Sequence, residues 1–161
     1  VCPRFAHTRR ASRAEHLTVG RPGAVSSSDI KLGSATALLR AMVEADGRDR
    51  VIVQSFDWPV MAELRGLVSD LPTGVLGDKE LIDEHLKFAN EMGVDVIGWK
   101  ADFLNAERTS AIHAHGLRAW TWTVDDADRA REVIRCGVDA LISNVPGVMQ
   151  SILREIEDRL D

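Results

Sequence analysis

Residues 116–146 read GLRAWTWTVDDADRAREVIRCGVDALISNVP, and this stretch decides the fold. Two apolar runs, at 119–124 and 140–143, flank an amphipathic segment at 126–136, and Gly116 and Gly137 stand just before the runs. A glycine directly after a helix supplies the left-handed residue that ends it. Strands that carry apolar residues on both faces are typical of a parallel sheet buried between helices. The stretch therefore predicts a strand, a helix and a second strand.

The same order of helix, glycine and strand repeats from about residue 34. The predicted helices are 35–45, 59–70, 79–92, 107–115, 126–136 and 147–160, and the predicted strands are 51–55, 73–76, 94–99, 119–124 and 140–143. Repeated units with short connections imply a parallel sheet wound in one hand, so the fold class is α/β. Five strands after residue 28 are too few for a complete (β/α)8 barrel of about 250 residues. Either the sheet is open or it is part of a barrel.

Length and charge limit the classes of protein to which the chain can belong. Its 161 residues suffice for one ordinary core. Five arginines and one acid give residues 1–27 a charge of +4, so the rest carries −9 within a net charge of −5. An acidic folded part argues against a nucleic-acid partner. No apolar run reaches the roughly 18 residues of a membrane span, and we expect a soluble, cytoplasmic protein.

Ligands of parallel sheets bind where the strands end, so we searched the residues that follow each predicted strand for chemistry. These positions are rich in carboxylates, hydroxyls and indoles, and they are 29–31, 54–57, 76–78, 99–102, 122–126 and 143–146. Each has a simpler explanation as well. Asp57, Asp78, Asn105 and Asp125 stand where helix N-caps are needed. Trp120 and Trp122 share one strand face, so at least one of them is expected to pack under a helix.

Four motifs, in this order, resemble those of the glycerophosphodiester phosphodiesterase family. DIKL at 29–32 is similar to its fourth strand, VIVQSFD at 51–57 to its fifth, WTV at 122–124 to its seventh, and GVDA at 137–140 with Pro146 to its eighth. The resemblance implies a partial TIM-like (β/α) barrel of parallel βα units, about strands 4 to 8. The domain would span residues 28–161, after an irregular basic segment at 1–27.

The resemblance also implies an activity and a site. Members of the family are metal-dependent phosphodiester hydrolases that cleave glycerophosphodiesters, which are small molecules, to glycerol phosphate and an alcohol. Two histidines act as general acid and base, and carboxylates hold a divalent cation, here expected to be Mg²⁺ or Ca²⁺. Carried over to this chain, the metal ligand is Asp29, the catalytic residue at the phosphate is Lys31, and the substrate pocket is lined by Phe56 and Trp122.

Several positions depart from the family pattern. Asp29 replaces the glutamate of Glu-x-Lys, Asp125 replaces the asparagine after Trp-Thr-Val, and Ser143-Asn144 replaces Thr-Asp. No Glu-x-Asp or His-Asp motif precedes Asp29. The segment AHTRRAS at 6–12 echoes the family's first strand, Ala-His-Arg-Gly-Ala-Ser, and chance explains the echo equally well. We therefore expect a truncated domain with weak or no turnover.

Two other interpretations stay open at this point. In the first, the chain is a non-catalytic half-barrel that serves for packing or self-association, because open sheet edges favour pairing with a second copy. In the second, it is an unrelated phosphate-binding βα protein, which the QSF and WTV motifs disfavour.

Overall fold

The computed structural model describes residues 6–7, 26–29 and 51–158. These residues form one parallel sheet whose strand order is β1-β7-β6-β5-β4-β3-β2. Its strands are β1 (Ala6–His7), β2 (Ser26–Asp29), β3 (Val51–Ser55), β4 (Thr73–Gly77), β5 (Val96–Lys100), β6 (Arg118–Trp122) and β7 (Ala140–Ser143). Every pair of neighbouring strands is parallel, as the repeated units predict.

A helix follows each strand from β3 onward in the described part of the chain. The helices are α1 (Trp58–Leu67), α2 (Asp83–Glu91), α3 (Ala106–Ala114), α4 (Ala127–Arg135) and α5 (Pro146–Glu157), with a short 3₁₀ turn at Ala101–Phe103. Gly116 and Gly137 have φ values of 74° and 87°, the left-handed conformation expected of them after α3 and α4. Each helix covers the sheet with its apolar side.

The sheet curls, so it has an inner and an outer face. The outer face packs against the helices through residues such as Val53, Val75 and Ile97, which are buried with helical Met61 and Leu86. The inner face has a smaller cluster made only of strand residues: Ile52, Val96, Trp120, Ala140 and the partly buried Ile142. The two ends of the strand order also approach each other, since Cα atoms of β1 lie within 8 Å of Cα atoms of β2. The partial TIM-like barrel is confirmed.

The five strands predicted after the 29–32 segment are all present as β3 to β7. One detail of the fold differs from the sequence-based expectation. The expectation that Trp120 or Trp122 packs under a helix is wrong. Trp120 is in the strand-only inner cluster, and Trp122 shares its face by strand alternation.

Other predictions fall partly outside the described residues. The predicted helix at 35–45 and the catalytic candidate Lys31 lie there, so the structure gives no account of either. The domain boundary at 27/28, the cytoplasmic location and self-association through sheet edges also stay predictions. Across the helices of the described ranges, none has the length and apolar character needed to traverse a bilayer.

Two Gly-Val-Asp segments, at 93–95 and 137–139, fasten the N-terminal ends of the strands. The Asp95 carboxylate accepts the Thr73 backbone N–H at 2.9 Å, and the Asp139 carboxylate accepts the Ala119 N–H at 2.7 Å. The backbone N–H of each aspartate donates in return to the same neighbouring residue, at 2.8 and 2.7 Å. Asp139 additionally contacts His113 Nε2 at 2.9 Å. Each segment thereby sets the register between the strand that follows it and the preceding strand, β5 with β4 and β7 with β6.

Replacing Asp139 with alanine should destabilise the fold. Ala119 is fully buried, and loss of the carboxylate leaves its N–H without that acceptor, at a cost of about 1–3 kcal/mol. Urea denaturation of Asp139→Ala measures the loss in unfolding free energy. Asp70→Ala, in the exposed loop before β4, is the matched control and should change stability by less than about 0.5 kcal/mol. Equal stability of the two variants would contradict the role assigned to Asp139.

Candidate ligand-binding mouth of the sheet

The carboxyl ends of β3 to β7 open on one rim of the curled sheet, which we call the mouth. Its inner side chains follow from strand alternation: Gln54 and Phe56 from β3 and its exit, Gly98 and Lys100 from β5, and Trp122 from β6. Lys100 is the register partner of Trp122, and Gly98 is the register partner of Trp120. The mouth thus gathers an amide, a cation and two aromatic rings on one surface.

Phe56 and Trp122 meet across the mouth. Three strand spacings separate β3 from β6, so a flat sheet would hold these residues about 14 Å apart. Their ring centroids are nevertheless 5.4 Å apart, with the planes at 87°, an edge-to-face contact. Trp122 is held from below, since its Nε1–H donates to the Gly98 carbonyl oxygen at 3.1 Å. Phe56 keeps 45% of its surface exposed and is free to contact a ligand.

Gln54 forms the floor of the mouth. Its side chain is 1% exposed and lies against two glycines of the neighbouring strands. A Cβ on Gly98 would lie 2.9 Å from Gln54 Oε1 and 2.7 Å from Leu76 Cδ2, and one on Gly74 would lie 3.3 Å from Gln54 Cγ. Any side chain at 98 would therefore have to displace the ends of the Leu76 and Gln54 side chains.

Lys100 supplies positive charge at the rim. Its Nζ lies 2.9 Å from Asp102 Oδ2, and both side chains are substantially exposed. The hydrogen bond to Asp102, and then the charge of that carboxylate, raise the pKa of Lys100, while the same contact lowers the pKa of Asp102. Asp78 raises the pKa of Lys100 further by its charge. Lys100 is therefore cationic and Asp102 anionic throughout the neutral range.

Asp125 ties the exit of β6 to the exit of β7. Its Oδ1 accepts the Ser143 hydroxyl at 2.9 Å and the Asn144 backbone N–H at 2.7 Å, and its Oδ2 accepts Asn144 Nδ2 at 2.7 Å. Desolvation alone would raise the pKa of Asp125, but the hydrogen bonds from Asn144 and Ser143 outweigh it, so the pKa is lowered. This interaction fixes the turn that follows Trp122.

The cap predictions are half right. Asp57 accepts the Val60 N–H at 3.2 Å and Asn105 accepts the Arg108 N–H at 2.9 Å, so both cap helices as expected. Asp125 does not, because the cap of α4 is the next residue, Asp126. Asp78 does not either, since α2 begins only at Asp83.

The described histidine side chains lie away from the inner mouth. His85 packs on the outer side, with its ring centroid 5.2 Å from that of Trp99, and its Nδ1 accepts the Ile82 N–H at 3.2 Å. His113 contacts Asp139 at the N-terminal end of the sheet, and His115 ends α3 there. The backbone of His7 is different, since β1 aligns it with Ser143 at the mouth.

The outcomes for the four predicted site residues are distinct. Asp29 ends β2 in register with Gln54, which puts its backbone beside the mouth. Lys31 lies outside the described residues. Phe56 and Trp122 are brought into contact at the mouth, as residues of one pocket must be. Their role in binding substrate, and that of Asp29 in binding metal, stay predictions.

Lys100 and Gln54 are the mouth residues that sequence reasoning missed. Both lie in segments already selected as strand exits; Gln54 is also part of the QSF motif, but no motif distinguishes Lys100. The signal that finds them is alternation. Counting in twos from buried Val96 reaches Gly98 and Lys100, and counting from Ile52 reaches Gln54 and Phe56.

A curled, parallel βα sheet with polar and aromatic side chains gathered at its C-terminal rim defines a partial TIM-like barrel, and that rim is its candidate site. Residues 22–148 match the model of the glycerophosphoryl diester phosphodiesterase family. The chain belongs to that family, and the matched segment includes every mouth residue described above.

Individual relatives support this assignment. A glycerophosphodiester phosphodiesterase of Caldanaerobacter subterraneus is 22% identical over 126 residues, which cover 76% of this chain and 50% of the relative. A putative glycerophosphoryl diester phosphodiesterase structure from Silicibacter pomeroyi superposes with a TM-score of 0.74 at 23% identity, covering 80% of this chain and 50% of the other. An Oleispira antarctica phosphodiesterase, solved with the product sn-glycerol-3-phosphate, gives 0.72 at 16% identity, covering 78% and 53%. The chain thus spans about half the length of these relatives.

Swapping the carboxylate of Asp125 and the amide of Asn144 should preserve the stability of the fold only when both residues are replaced together. Asn144→Asp sets two carboxylates against each other where the amide now donates at 2.7 Å, and we expect a loss of about 1–2 kcal/mol in unfolding free energy. Adding Asp125→Asn restores an amide opposite a carboxylate and should recover most of that loss. Urea denaturation of the two single variants and the double variant at neutral pH measures the coupling. A double variant no more stable than Asn144→Asp would refute the pairing.

The stabilisation by Asp125 should depend on pH. Its pKa in the folded chain is below the ordinary value of 3.8, so the carboxylate stabilises the fold above that pH, and the contribution disappears as pH falls through the folded pKa. The difference in unfolding free energy between wild type and Asp125→Asn should therefore be constant from about pH 7 to pH 5 and shrink below about pH 4. Denaturation curves at stepped pH measure this difference. A difference that stays constant down to about pH 3 would contradict the shift.

Proposed function

We propose that this chain binds glycerophosphodiesters at the mouth and hydrolyses them weakly or not at all as an isolated chain. The observation that carries the proposal is the contact between Phe56 and Trp122 beside cationic Lys100, within the segment that matches the family. Two aromatic rings suit the apolar surface of a small organic ester, and a cation suits its phosphate. The product complex of the Oleispira relative supports glycerol phosphate as the common part of the ligand.

The individual roles follow the family resemblance. Lys31 would contact the phosphate, and Phe56 and Trp122 would line the pocket for the remaining part of the ligand. His7 would be the one proton-transfer group of the family pattern kept near the mouth, given the alignment of its backbone with Ser143. Among the residues that the structure describes, no second histidine joins it at the mouth, and this is the reason that we propose slow turnover.

A divalent cation, Mg²⁺ or Ca²⁺, is proposed from the family resemblance alone, with Asp29 as a ligand. The residues present do not fit it well. Within residues 6–7, 26–29 and 51–158, no group of three or more His, Cys, Asp or Glu residues could hold a metal ion. A hard cation takes six or more oxygen ligands, of which proteins supply several as carboxylates. The described part of the chain therefore does not form a cation site by itself.

Binding and turnover should be measured separately. Isothermal titration with sn-glycerol-3-phosphate and with glycerophosphocholine should show binding by the wild-type chain. Phe56→Ala or Trp122→Ala should lower the affinity for glycerophosphocholine by about tenfold or more. Phe88→Ala is the matched control, because Phe88 is an exposed phenylalanine stacked on Trp58 on the outer side of the sheet. Its affinity should equal that of wild type. Absence of binding by the wild-type chain would exclude the proposal.

Release of glycerol 3-phosphate from glycerophosphocholine tests the second half of the proposal. We expect little or no release with Mg²⁺, with Ca²⁺ or with a chelator. Brisk, cation-dependent release that is lost in Lys31→Ala and His7→Gln would show the chain to be a competent hydrolase. A chain that neither binds nor hydrolyses the ester, and that sediments as a dimer, would favour the non-catalytic self-association module.

A further inference from the structure

We propose that Lys100 is an anion-binding residue of the mouth that holds the phosphate of the bound ligand, with Asp102 as its counterion in the ligand-free chain. The inference rests on the proposed function, because it names the residue that would bind the phosphate there. It adds to Lys31 a second cation, one that neither the motifs nor the family resemblance singles out.

Its position on the strand is the first argument. Lys100 is the last residue of β5, two residues from Gly98 and four from Val96, so it shares their inner face. Val96 belongs to the strand-only inner cluster, which identifies that face. Trp122, the register partner of Lys100, is the residue whose ring meets Phe56. A group bound against the aromatic pair therefore lies beside the lysine.

The present partner of Lys100 is one that a ligand can displace. Asp102 lies only two residues away, and 64% of its side chain is exposed, against 45% for Lys100. An exposed ion pair of this kind stabilises a fold by little, since water solvates both charges almost as well. A phosphate offers more acceptor oxygens and more negative charge than a carboxylate. Exchange of Asp102 for phosphate therefore costs the protein little.

The segment that carries Lys100 is also held in place. The 3₁₀ turn directly after it closes with a bond from the Leu104 N–H to the Ala101 carbonyl at 3.1 Å. Arg129 of α4 donates to the same carbonyl, and its guanidinium is paired with Glu132. The strand exit is thus fixed by a neighbouring helix. A cation on a fixed segment loses less freedom on binding than one on a mobile loop.

Three other carboxylates at the strand exits are held by structural hydrogen bonds, whereas Asp78 acts on Lys100 through its charge. Asp57 and Asp126 cap helices, and Asp125 binds Ser143 and Asn144. Asp102 differs from these three because it pairs with the lysine side chain. The competing explanation is that the Lys100–Asp102 pair only stabilises the strand exit. The two explanations predict opposite results for removal of the Asp102 charge.

The test is isothermal titration of inorganic phosphate and sn-glycerol-3-phosphate into four variants at low ionic strength. Lys100→Met should lower the affinity for both ligands by about tenfold or more. Asp102→Asn should raise the affinity for both ligands a few-fold, because it removes the competing anion. Lys100→Arg should stay within about threefold of wild type. Lys87→Met, an exposed lysine on α2, is the matched control and should bind as wild type does.

The contrary outcomes are distinct. If wild type binds and Lys100→Met binds equally well, the role of Lys100 is wrong while the proposed function stands. If Asp102→Asn weakens binding as much as Lys100→Met does, the pair is structural and the inference is wrong. If wild type binds neither ligand, both the inference and the proposed function fail. If circular dichroism shows that Lys100→Met does not fold, Lys100→Arg and Asp102→Asn are compared with wild type instead. An affinity of either variant that departs from the direction stated above overturns the role of Lys100.

Discussion

The register of the parallel sheet is the constraint on which the rest of the structure depends. A slip of one residue between two strands exchanges their inner and outer side chains. Asp95 and Asp139 oppose such a slip with side-chain and backbone bonds to the strand beside them, all of 2.7 to 2.9 Å. These bonds lie at the N-terminal ends of the strands, whereas the mouth lies at the opposite ends. The same residues that fasten one end of the sheet therefore determine which side chains appear at the other.

The mouth is assembled from residues that are distant in sequence and unremarkable alone. The Gln54 side chain can lie against Gly98 because Gly74 and Gly98 have no side chains to occupy that space. Trp122 contacts Phe56 because the sheet curls through three strand spacings. Each contact needs the correct register of the strands between its partners. The segment that matches the family model, residues 22–148, contains this framework.

The sequence predicts most of the fold because its signals there are local. Glycine after a helix and a buried apolar run identify each βα unit without knowledge of its neighbours, as Gly116 and Gly137 illustrate. The helix N-caps show the limit of such local signals. Asp57 and Asn105 cap the helix directly after them, but the same residue type at 125 reaches across to Asn144, nineteen residues away. No spacing rule separates these two uses of a polar residue.

The mouth was predictable only in part, for a related reason. Phe56 and Trp122 belong to motifs that can be read from the chain, and the structure brings them together. The orientation of Trp120 and Trp122 toward the inside was not predictable, because a strand with two possible apolar faces does not say which one meets the helices. Lys100 needed the same information, since only the location of Val96 in the inner cluster shows where a lysine four residues later must point.

The bond from Trp122 to the Gly98 carbonyl has a consequence for how this framework can diverge. The acceptor is a main-chain oxygen, which every residue type provides, so the indole keeps its anchor when side chains of β5 other than position 98 change. Substitutions in β5 away from Gly98 therefore leave the anchor of Trp122 in place, while residue 100 at the rim can vary. A fold built in this way can change the residue at the rim and keep the same aromatic wall.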